Sequence, residues 1–364
     1  MITVVTPGTF TTIQDIGRKG FQRLGVPESG AMDKFSFKAG NLLVGNDPNL
    51  PSLEMTLFGP ELYFEDTAVI AVTGADLSPK INGKKIKNWS TIRINPKSTL
   101  TFDGPVSNGG RGYLSINGGF SSPNLSKILG SFSTYVPANF GGYLGRALLE
   151  GDSFINNSKK TFKNTQQLKS PPVFHDKETL RVVLGPQNDR FFDSSINELL
   201  SSEYQITPDS DRIGCRLSGP KLIHNDGPDV ISDGNTFGTI QIPGSGEPII
   251  LLSDRGTTGG YTKIASVISA DWSRLAQLVP GCTVKFQEVS LEQAYQFKQE
   301  EENILNSLRE IPVNIPEYQI DGKKIEILSS TGESINLQQQ QNTKFIFEVE
   351  VNKDNQEFEI EMRT

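Results

Sequence analysis

Short apolar runs separated by turn residues dominate the hydrophobic pattern of this chain. Residues 69–73 end at a glycine, residues 112–116 end at an Asn-Gly-Gly triplet, and residues 180–184 end at a Gly-Pro pair. β-Branched and aromatic residues in runs of this length favour strands, and the residues between them favour tight turns. The pattern therefore predicts a mainly β protein, built as an antiparallel sandwich or barrel.

Amphipathic spacing predicts only a few helices. From Phe35 to Leu43 the apolar residues recur at the i, i+4, i+7 spacing of one helix face. Ser290 and Gln293 have the spacing of a capping box at the start of the longest candidate. The predicted helices are 33–44, a short turn at 122–130, 189–200, 271–277 and 290–309.

Length and composition predict two lobes and a tail. A chain of 364 residues is long for a single core. Residues 156–172 are polar and lack periodicity, which is typical of a linker, and beyond Pro312 charged and apolar residues alternate. We therefore expect an N-terminal lobe at 1–155, a C-terminal lobe at 173–310 and a small β-rich tail at 313–364.

Charge, cysteines and histidines exclude several function classes. The net charge is −7 and no long basic block stands against it, so a nucleic-acid partner is not expected. Cys215, Cys282, His175 and His224 lack metal-ligand spacing, and no metal site is predicted. The chain shows no leader pattern and no apolar run of membrane-spanning length, so we expect a cytoplasmic protein without membrane contact.

The stretch 253–261 concentrates the candidate chemistry. It follows the apolar run 248–252, which predicts a buried strand, and glycines in such a loop let backbone N–H groups converge on an anion. A tight hairpin with an Asp254–Arg255 pair and a glycine turn explains the composition equally well. Tyr261 suits either stacking on a flat ring or filling the core. The candidate site residues here are Asp254, Arg255, Thr258, Gly259, Gly260 and Tyr261.

A second cluster of the same character lies near the N-terminus. Asp15 and Arg18 stand in a glycine-punctuated segment, where they suit either a ligand or an ion pair with each other. Asp33 suits the N-cap of the first helix, and Asn41 suits a cleft or solvent. Glu54 interrupts an apolar run, so its carboxylate must be paired, exposed or functional. We expect the two glycine-bordered segments to fold together and line one shared pocket.

Many ordered motifs identify a family. They lie at 7–20, 25–33, 41–46, 53–60, 73–75, 111–114, 185–187, 211–217, 238–243 and 254–261. In these segments the chain resembles the allophanate hydrolase subunit 2 family over residues 1–287, and the tail lies outside the resemblance. The resemblance implies a mainly β fold of cyclophilin-like β-barrel architecture, with a few short helices and one longer C-terminal helix. It also nominates Gln241 as a binding residue.

The resemblance implies an enzyme subunit that does not act alone. Family members pair with a subunit 1-like chain, which is KipI-like or the B component of a 5-oxoprolinase. In bacteria the pair resembles two subunits of an ATP-dependent 5-oxoprolinase, which has a third subunit and converts 5-oxo-L-proline to L-glutamate. The implied cofactor is ATP with Mg²⁺ in the complex, and the substrate is a small molecule. The residues expected to be catalytic are Asp254, Arg255, Asp15 and Arg18, and those expected to bind substrate or nucleotide are Thr258, Gly259, Gly260, Tyr261, Asp33, Asn41, Glu54 and Gln241.

Two alternatives stay open. One is the carboxyltransferase subunit of a biotin-dependent urea or amide carboxylase, with biotin on a separate carrier because the chain has no Met-Lys biotin-accepting motif. The other is a non-catalytic antagonist of a histidine-kinase inhibitor, the role of the family member KipA. The chain has no phosphate-binding loop motif of the known types, so a nucleotide site is either unorthodox or shared with the partner.

Overall fold

The computed structural model describes residues 1–106, 108–158 and 166–309, together with four strands of the tail. The chain forms two compact units, Met1–Ile311 and Pro312–Thr364. Both predicted lobes fall inside the first unit, where their bounds stay predictions, and residues 159–165 of the predicted linker lie outside the described residues. In the described ranges, no helix combines the length and the apolar character needed to cross a membrane.

The first half of the larger unit consists of short strands. They are β1 Ile2–Thr6, β2 Phe10–Gln14, β3 Ser52–Thr56, β4 Glu61–Phe64, β5 Ala68–Gly74, β6 Pro79–Ile81, β7 Lys84–Lys85, β8 Thr91–Ile94, β9 Ser98–Phe102, β10 Arg111–Ile116, β11 Phe120–Ser121, β12 Leu125–Ser126, β13 Gly142–Tyr143 and β14 Ser153–Asn156. They form a seven-stranded sheet, β11-β14-β1-β4-β9-β6-β7, a five-stranded sheet, β2-β3-β10-β5-β8, and the pair β12-β13. Ile13 and Leu53 from one sheet share a core with Leu62 and Leu100 from the other, as expected of a sandwich.

The second half of the unit is a closed barrel. Its strands are β15 Lys177–Leu184, β16 Tyr204–Ile206, β17 Gly214–Ser218, β18 Asp229–Gly234, β19 Thr239–Ile242, β20 Ile249–Leu251, β21 Thr258–Val267 and β22 Thr283–Glu288. β15 pairs in parallel with β22 and antiparallel with β21, which closes the ring β15-β22-β16-β17-β20-β19-β21. β18 lies outside the ring and forms a ribbon with the start of β21. Leu180, Ile240 and Ile264 fill the interior. The predicted mainly β fold with a barrel is confirmed.

The helices agree with the predicted positions except at one place. They are α1 Lys34–Leu43, α2 Asp193–Ser201, α3 Trp272–Gln277 and α4 Leu291–Arg309. The capping box of α4 is present, since the Ser290 N–H donates to Gln293 Oε1 (2.9 Å) and the Gln293 N–H donates to Ser290 Oγ (3.2 Å). The short helix predicted at 122–130 is wrong, because β12 in this segment pairs with β13 and so satisfies its backbone groups in a ladder.

Helix α4 returns from the barrel to the first half of the unit. Leu305 and Leu308 of α4 share an apolar cluster with Phe35, Ala39 and Leu42 of α1. Burial of these side chains holds the end of the barrel's sequence against the first helix. The packing leaves a cavity bordered by α1, α3 and α4.

The described residues of the tail form two pairs of strands. β23 Glu317–Ile320 pairs with β24 Lys323–Glu326, and β25 Lys344–Val351 pairs with β26 Asp354–Glu361, both antiparallel. The alternation of apolar and charged residues in these segments predicts strands, and the described bounds agree with that prediction.

Candidate active site

The stretch predicted as a glycine-rich loop divides into a turn and a strand. After β20, residues 252–257 form a turn that carries Asp254 and Arg255, whereas Thr258 already belongs to β21. The prediction of a loop reaching to Tyr261 is therefore wrong from Thr258 onward. Ladder pairing with β18 decides this, because it satisfies the backbone that a free loop would offer to a ligand.

Gly259 and Gly260 serve close packing instead of an anion cradle or a hairpin turn. Neither has a positive φ, and Gly259 pairs with Asp233 in the ladder. A Cβ on Gly259 would lie 2.6 Å from Gln241 Nε2 and 2.9 Å from Asn235 Nδ2. The glycine therefore leaves room for two buried amide side chains against the strand.

Gln241 acts on the turn through Asn235. Its Nε2 donates to Asn235 Oδ1 (3.2 Å), and Asn235 Nδ2 donates to the carbonyl of Gly256 (3.1 Å). The Asn235 N–H also donates to the carbonyl of Thr257 (3.0 Å). Gln241 thus stabilises the turn that carries Asp254 indirectly, through the hydrogen bonds of Asn235.

Replacing Gly259 with Ala is expected to destabilise the unit by about 1–3 kcal/mol, since the added methyl overpacks the Gln241–Asn235 pair. Gly260→Ala is the matched control, because its Cβ would meet nothing closer than the carbonyl of Val230 at 3.5 Å. Urea unfolding of both variants measures the difference. Equal midpoints for the two variants would contradict the packing role of Gly259.

Thr258 and Tyr261 lie on the surface of the β18–β21 ribbon. Thr258 is exposed and Tyr261 is 43% exposed. Tyr261 therefore does not fill the core, which was one of its two interpretations. Its ring is open to a flat ligand or to a partner protein.

The two separated segments predicted to share a pocket meet in the structure. The Ser29 N–H donates to the carbonyl of Ser253 (3.0 Å). Arg255 Nη2 forms an ion pair with Glu28 Oε2 at 3.1 Å, and both side chains are largely buried. The N-terminal turn and the 252–257 turn are thus joined by a backbone hydrogen bond and a charged pair.

Arg212 lies at the centre of this junction. Its Nε donates to Asp254 Oδ2 (2.8 Å) and its Nη2 donates to the carbonyl of Gly30 (2.8 Å). Its Nη1 pairs with Glu54 Oε1. Burial alone would lower the pKa of Arg212, but Asp254 and Glu54 outweigh it and raise that pKa. The guanidinium therefore stays charged and fixes both carboxylates.

Of the three alternatives predicted for the Glu54 carboxylate (paired, exposed or functional), the structure shows the paired one. Besides Arg212 on Oε1, its Oε2 accepts hydrogen bonds from the Met32 N–H (2.8 Å) and the Tyr113 hydroxyl (2.7 Å). Burial, and then the negative charge of Glu54, raise the pKa of Tyr113 well above its ordinary value, so the phenol remains a donor. Glu54 thus organises the junction and has little capacity left for a ligand.

The Asp15 carboxylate holds the segment 131–133. It accepts hydrogen bonds from the Gly17 N–H (2.9 Å), Ser131 Oγ (2.6 Å), the Phe132 N–H (2.6 Å) and Ser133 Oγ (2.5 Å). Arg18 is not among these donors. The alternative of an Asp15–Arg18 ion pair is therefore wrong, and Asp15 is satisfied by neutral donors.

Arg18 is fully buried and only partly satisfied. Its Nη2 donates to the carbonyl of Ser133, and its guanidinium carbon lies 4.7 Å from the centroid of the Phe140 ring. Its Nε and Nη1 have no hydrogen-bond partner among the described residues. Unsatisfied buried donors are rare in folded proteins and require a reason.

The charge of Asp254 acts on both Arg18 and Tyr135. Burial lowers the pKa of Arg18, and the carboxylates of Asp15 and Asp254 oppose that shift. Burial and the charge of Asp254 raise the pKa of the half-buried Tyr135. Arg18 and Tyr135 are therefore both within electrostatic reach of Asp254. A cation with two free N–H groups in such surroundings suits an oxyanion.

Asp33 and Asn41 support the fold. Asp33 is the N-cap of α1, since its Oδ1 accepts from the Ser36 N–H (2.9 Å), and burial raises its pKa to about 6. Asn41 is buried in α1, and its Nδ2 donates to the carbonyl of Leu50 (2.8 Å) and to Ser52 Oγ (3.2 Å). These contacts occupy the Asn41 amide, so the binding role predicted for it does not agree with its position.

The carboxylates of the junction do not fit a Mg²⁺ ligand set. Asp15, Asp33 and Asp254 each accept hydrogen bonds from protein donors, whereas Mg²⁺ needs carboxylate oxygens open to it. Across the described ranges, no group of three or more His, Cys, Asp or Glu side chains is placed to hold a metal ion. The positively charged groups, in contrast, fit an anion.

The residues of the junction that the sequence did not nominate for the site include Glu28, Ser133, Tyr135 and Arg212. Glu28 and Arg212 stand inside the quoted motifs and offered a signal through their charge. Ser133 and Tyr135 lie in a stretch of ordinary loop composition, and only their contacts distinguish them.

The chain is similar in sequence to known proteins of one family. Residues 24–288 match the family described as carboxyltransferase domain, subdomain A and B. The chain is 34% identical over 311 residues to the C subunit of 5-oxoprolinase from Escherichia coli, an overlap of 85% of this chain and 97% of that protein. It is 35% identical over 327 residues to urea amidolyase of Saccharomyces cerevisiae, an overlap of 84% of this chain but 18% of that protein.

A solved structure shares the fold as well. The crystal structure of the Kluyveromyces lactis urea carboxylase matches with a TM-score of 0.77 and 32% identity, over 84% of this chain and 29% of that one. The family match covers most of the first unit, including the barrel and the junction described above. The chain belongs to the carboxyltransferase domain family, subdomains A and B.

Proposed function

We propose that this chain is a non-autonomous subunit of an ATP-dependent 5-oxoprolinase, which hydrolyses 5-oxo-L-proline to L-glutamate with a subunit 1-like partner and a third subunit. The similarity to the C subunit of the Escherichia coli 5-oxoprolinase extends over 97% of that protein, which supports the same role here. The observation that carries the proposal is the buried guanidinium of Arg18, with two N–H donors that no acceptor in the described ranges uses.

The chemistry explains why such a group is needed. Opening a lactam requires activation of the amide oxygen, and bound ATP would supply the phosphoryl group for it. Arg18 would bind the oxygens on which negative charge develops, because a fixed cation in a water-poor site stabilises them more than water does. Asp15 holds Ser133 by a hydrogen bond, and the Ser133 carbonyl holds Arg18, so the cation is positioned in advance.

The second turn completes this arrangement. Asp254 lies within electrostatic reach of Arg18 and is oriented by Arg212. Its charge would keep Arg18 protonated and orient a polar group of the substrate. Arg255 is buried and pairs with Glu28, so it acts as a positioning residue for the turn.

Carboxyl transfer is the second candidate function. The similarity to urea amidolyase and the fold of urea carboxylase favour it. The same donors of Arg18 would then hold an oxygen of the carboxyl donor, and biotin would supply the carboxyl group. Biotin would have to arrive on a separate carrier.

Reconstitution with the purified partner subunits tests the proposal. We expect glutamate release that depends on ATP, on 5-oxoproline and on this chain, and that avidin does not inhibit. Equal turnover by the partner subunits without this chain would show that the proposal is wrong. Avidin-sensitive carboxylation would favour carboxyl transfer, and partner binding with no turnover of either kind would favour an antagonist of a kinase inhibitor.

A further inference from the structure

The cavity between α1, α3 and α4 lies beside the junction. Its volume is about 270 Å³, and four lysines line it: Lys19, Lys34, Lys38 and Lys298. They come from the N-terminal turn, from α1 and from α4, so the cavity exists only because α4 packs back on α1. None of these lysines belongs to the site described above.

The carboxylates of the cavity are already engaged. Glu28 pairs with Lys34 (3.3 Å) and with Arg255 (3.1 Å), and Glu301 pairs with Lys298. In the described part of the chain, Lys19 and Lys38 form no ion pair with a carboxylate. The cavity therefore has more positive charge than its own acids neutralise.

Burial and the nearby charges shift the pKa of two of these lysines. Burial lowers the pKa of Lys34. Burial also lowers the pKa of Lys38; Lys298, Lys34 and Lys19 lower it further, and Glu301 opposes the shift without cancelling it. Like charges in a partly buried site are costly, and a bound anion would relieve that cost.

The groups favour phosphate over other anions. Lysine ammonium groups act as point charges with three donors, which suit tetrahedral phosphate oxygens, whereas planar carboxylates are matched best by arginine. Several lysines around one space favour an anion with several charges. The cavity volume of about 270 Å³ is slightly below that of a usual ligand pocket. The cavity therefore suits a chain of phosphate groups better than a whole nucleotide.

We propose that the cavity lined by Lys19, Lys34, Lys38 and Lys298 binds the phosphate chain of a small polyphosphate anion. A nucleoside triphosphate and an inorganic polyphosphate share this chemistry. Glu28 lines the cavity and also pairs with Arg255, so the bound anion lies next to the 252–257 turn. The proposal depends on the cavity alone and does not require 5-oxoprolinase activity.

Isothermal titration calorimetry of the full chain with tripolyphosphate, ATP and inorganic phosphate tests this proposal. We expect tripolyphosphate and ATP to bind and inorganic phosphate to bind more weakly, because it makes fewer contacts. Lys38→Gln and Lys298→Gln should each weaken binding by about tenfold or more, the effect of losing one charge-assisted contact. Tighter binding of ATP than of tripolyphosphate would identify a nucleotide, and equal binding would identify the phosphate chain alone.

Lys84→Gln is the matched control, since it removes the same charge from an exposed lysine of β7. It should leave binding unchanged. Thermal unfolding checks that Lys38→Gln remains folded, and ligand-induced stabilisation gives a second measure of affinity. The proposal is wrong if no polyphosphate binds at millimolar concentration, or if Lys84→Gln weakens binding as much as Lys38→Gln does.

Discussion

Arg18→Met is expected to lower 5-oxoproline turnover of the reconstituted complex by about 10²–10³-fold, the usual effect of removing a preorganised donor to a developing oxyanion. The methionine retains the volume of the side chain beside Phe140 but has no N–H group to offer. Arg18→Lys should recover part of the activity, since it keeps the charge but loses the planar arrangement of donors. Steady-state glutamate release at saturating 5-oxoproline is the measurement.

Arg23→Met is the control for this prediction, because Arg23 lies in the same segment but is exposed. It should retain full turnover. The stability of Arg18→Met should change little compared with its activity, since two of the Arg18 nitrogens donate no hydrogen bond within the described ranges. Full turnover by Arg18→Met would remove the main support for the proposed role of the junction.

Arg212→Met is expected to destabilise the larger unit by about 3–5 kcal/mol, because it removes the guanidinium that pairs with two buried carboxylates and leaves Glu54, among the described residues, only the longer contact to Arg111 Nη1 at 3.7 Å. Arg212 donates to Asp254 and pairs with Glu54, and both acids are almost inaccessible to solvent. The free energy of unfolding in urea measures this loss. We also expect the complex to lose activity, since Asp254 loses the contact that orients it.

A second variant separates the charge from the packing. Arg212→Met combined with Glu54→Gln and Asp254→Asn also removes the two carboxylate charges and should recover a substantial part of the lost stability, although not the activity. Arg216→Met is the control, because Arg216 is an exposed arginine of β17, four residues after Arg212, and its replacement should cost little stability. If the triple variant is no more stable than Arg212→Met, uncompensated charge does not explain the loss.

The local pattern of residues was sufficient to predict much of the fold. The capping box of α4 lies within four consecutive residues, and the stripe of α1 within ten, so short-range chemistry predicts both. The same applies to the strands, whose runs end at glycine or proline. The segment 254–261 shows the limit of this reasoning, since its glycines indicate a loop and pairing with β18 places half of it in a strand.

By itself, the sequence determined the mainly β class, the principal helices and the two chemically rich segments, because these depend on residues that are close along the chain. Only the tertiary structure decided which charges are paired. Arg212 meets Glu54 across 158 positions, and Arg18 meets Ser133 across 115. The lysine cavity likewise requires α4 to pack on α1. Electrostatic energies depend on distance and burial in space, and no local pattern of residues specifies either.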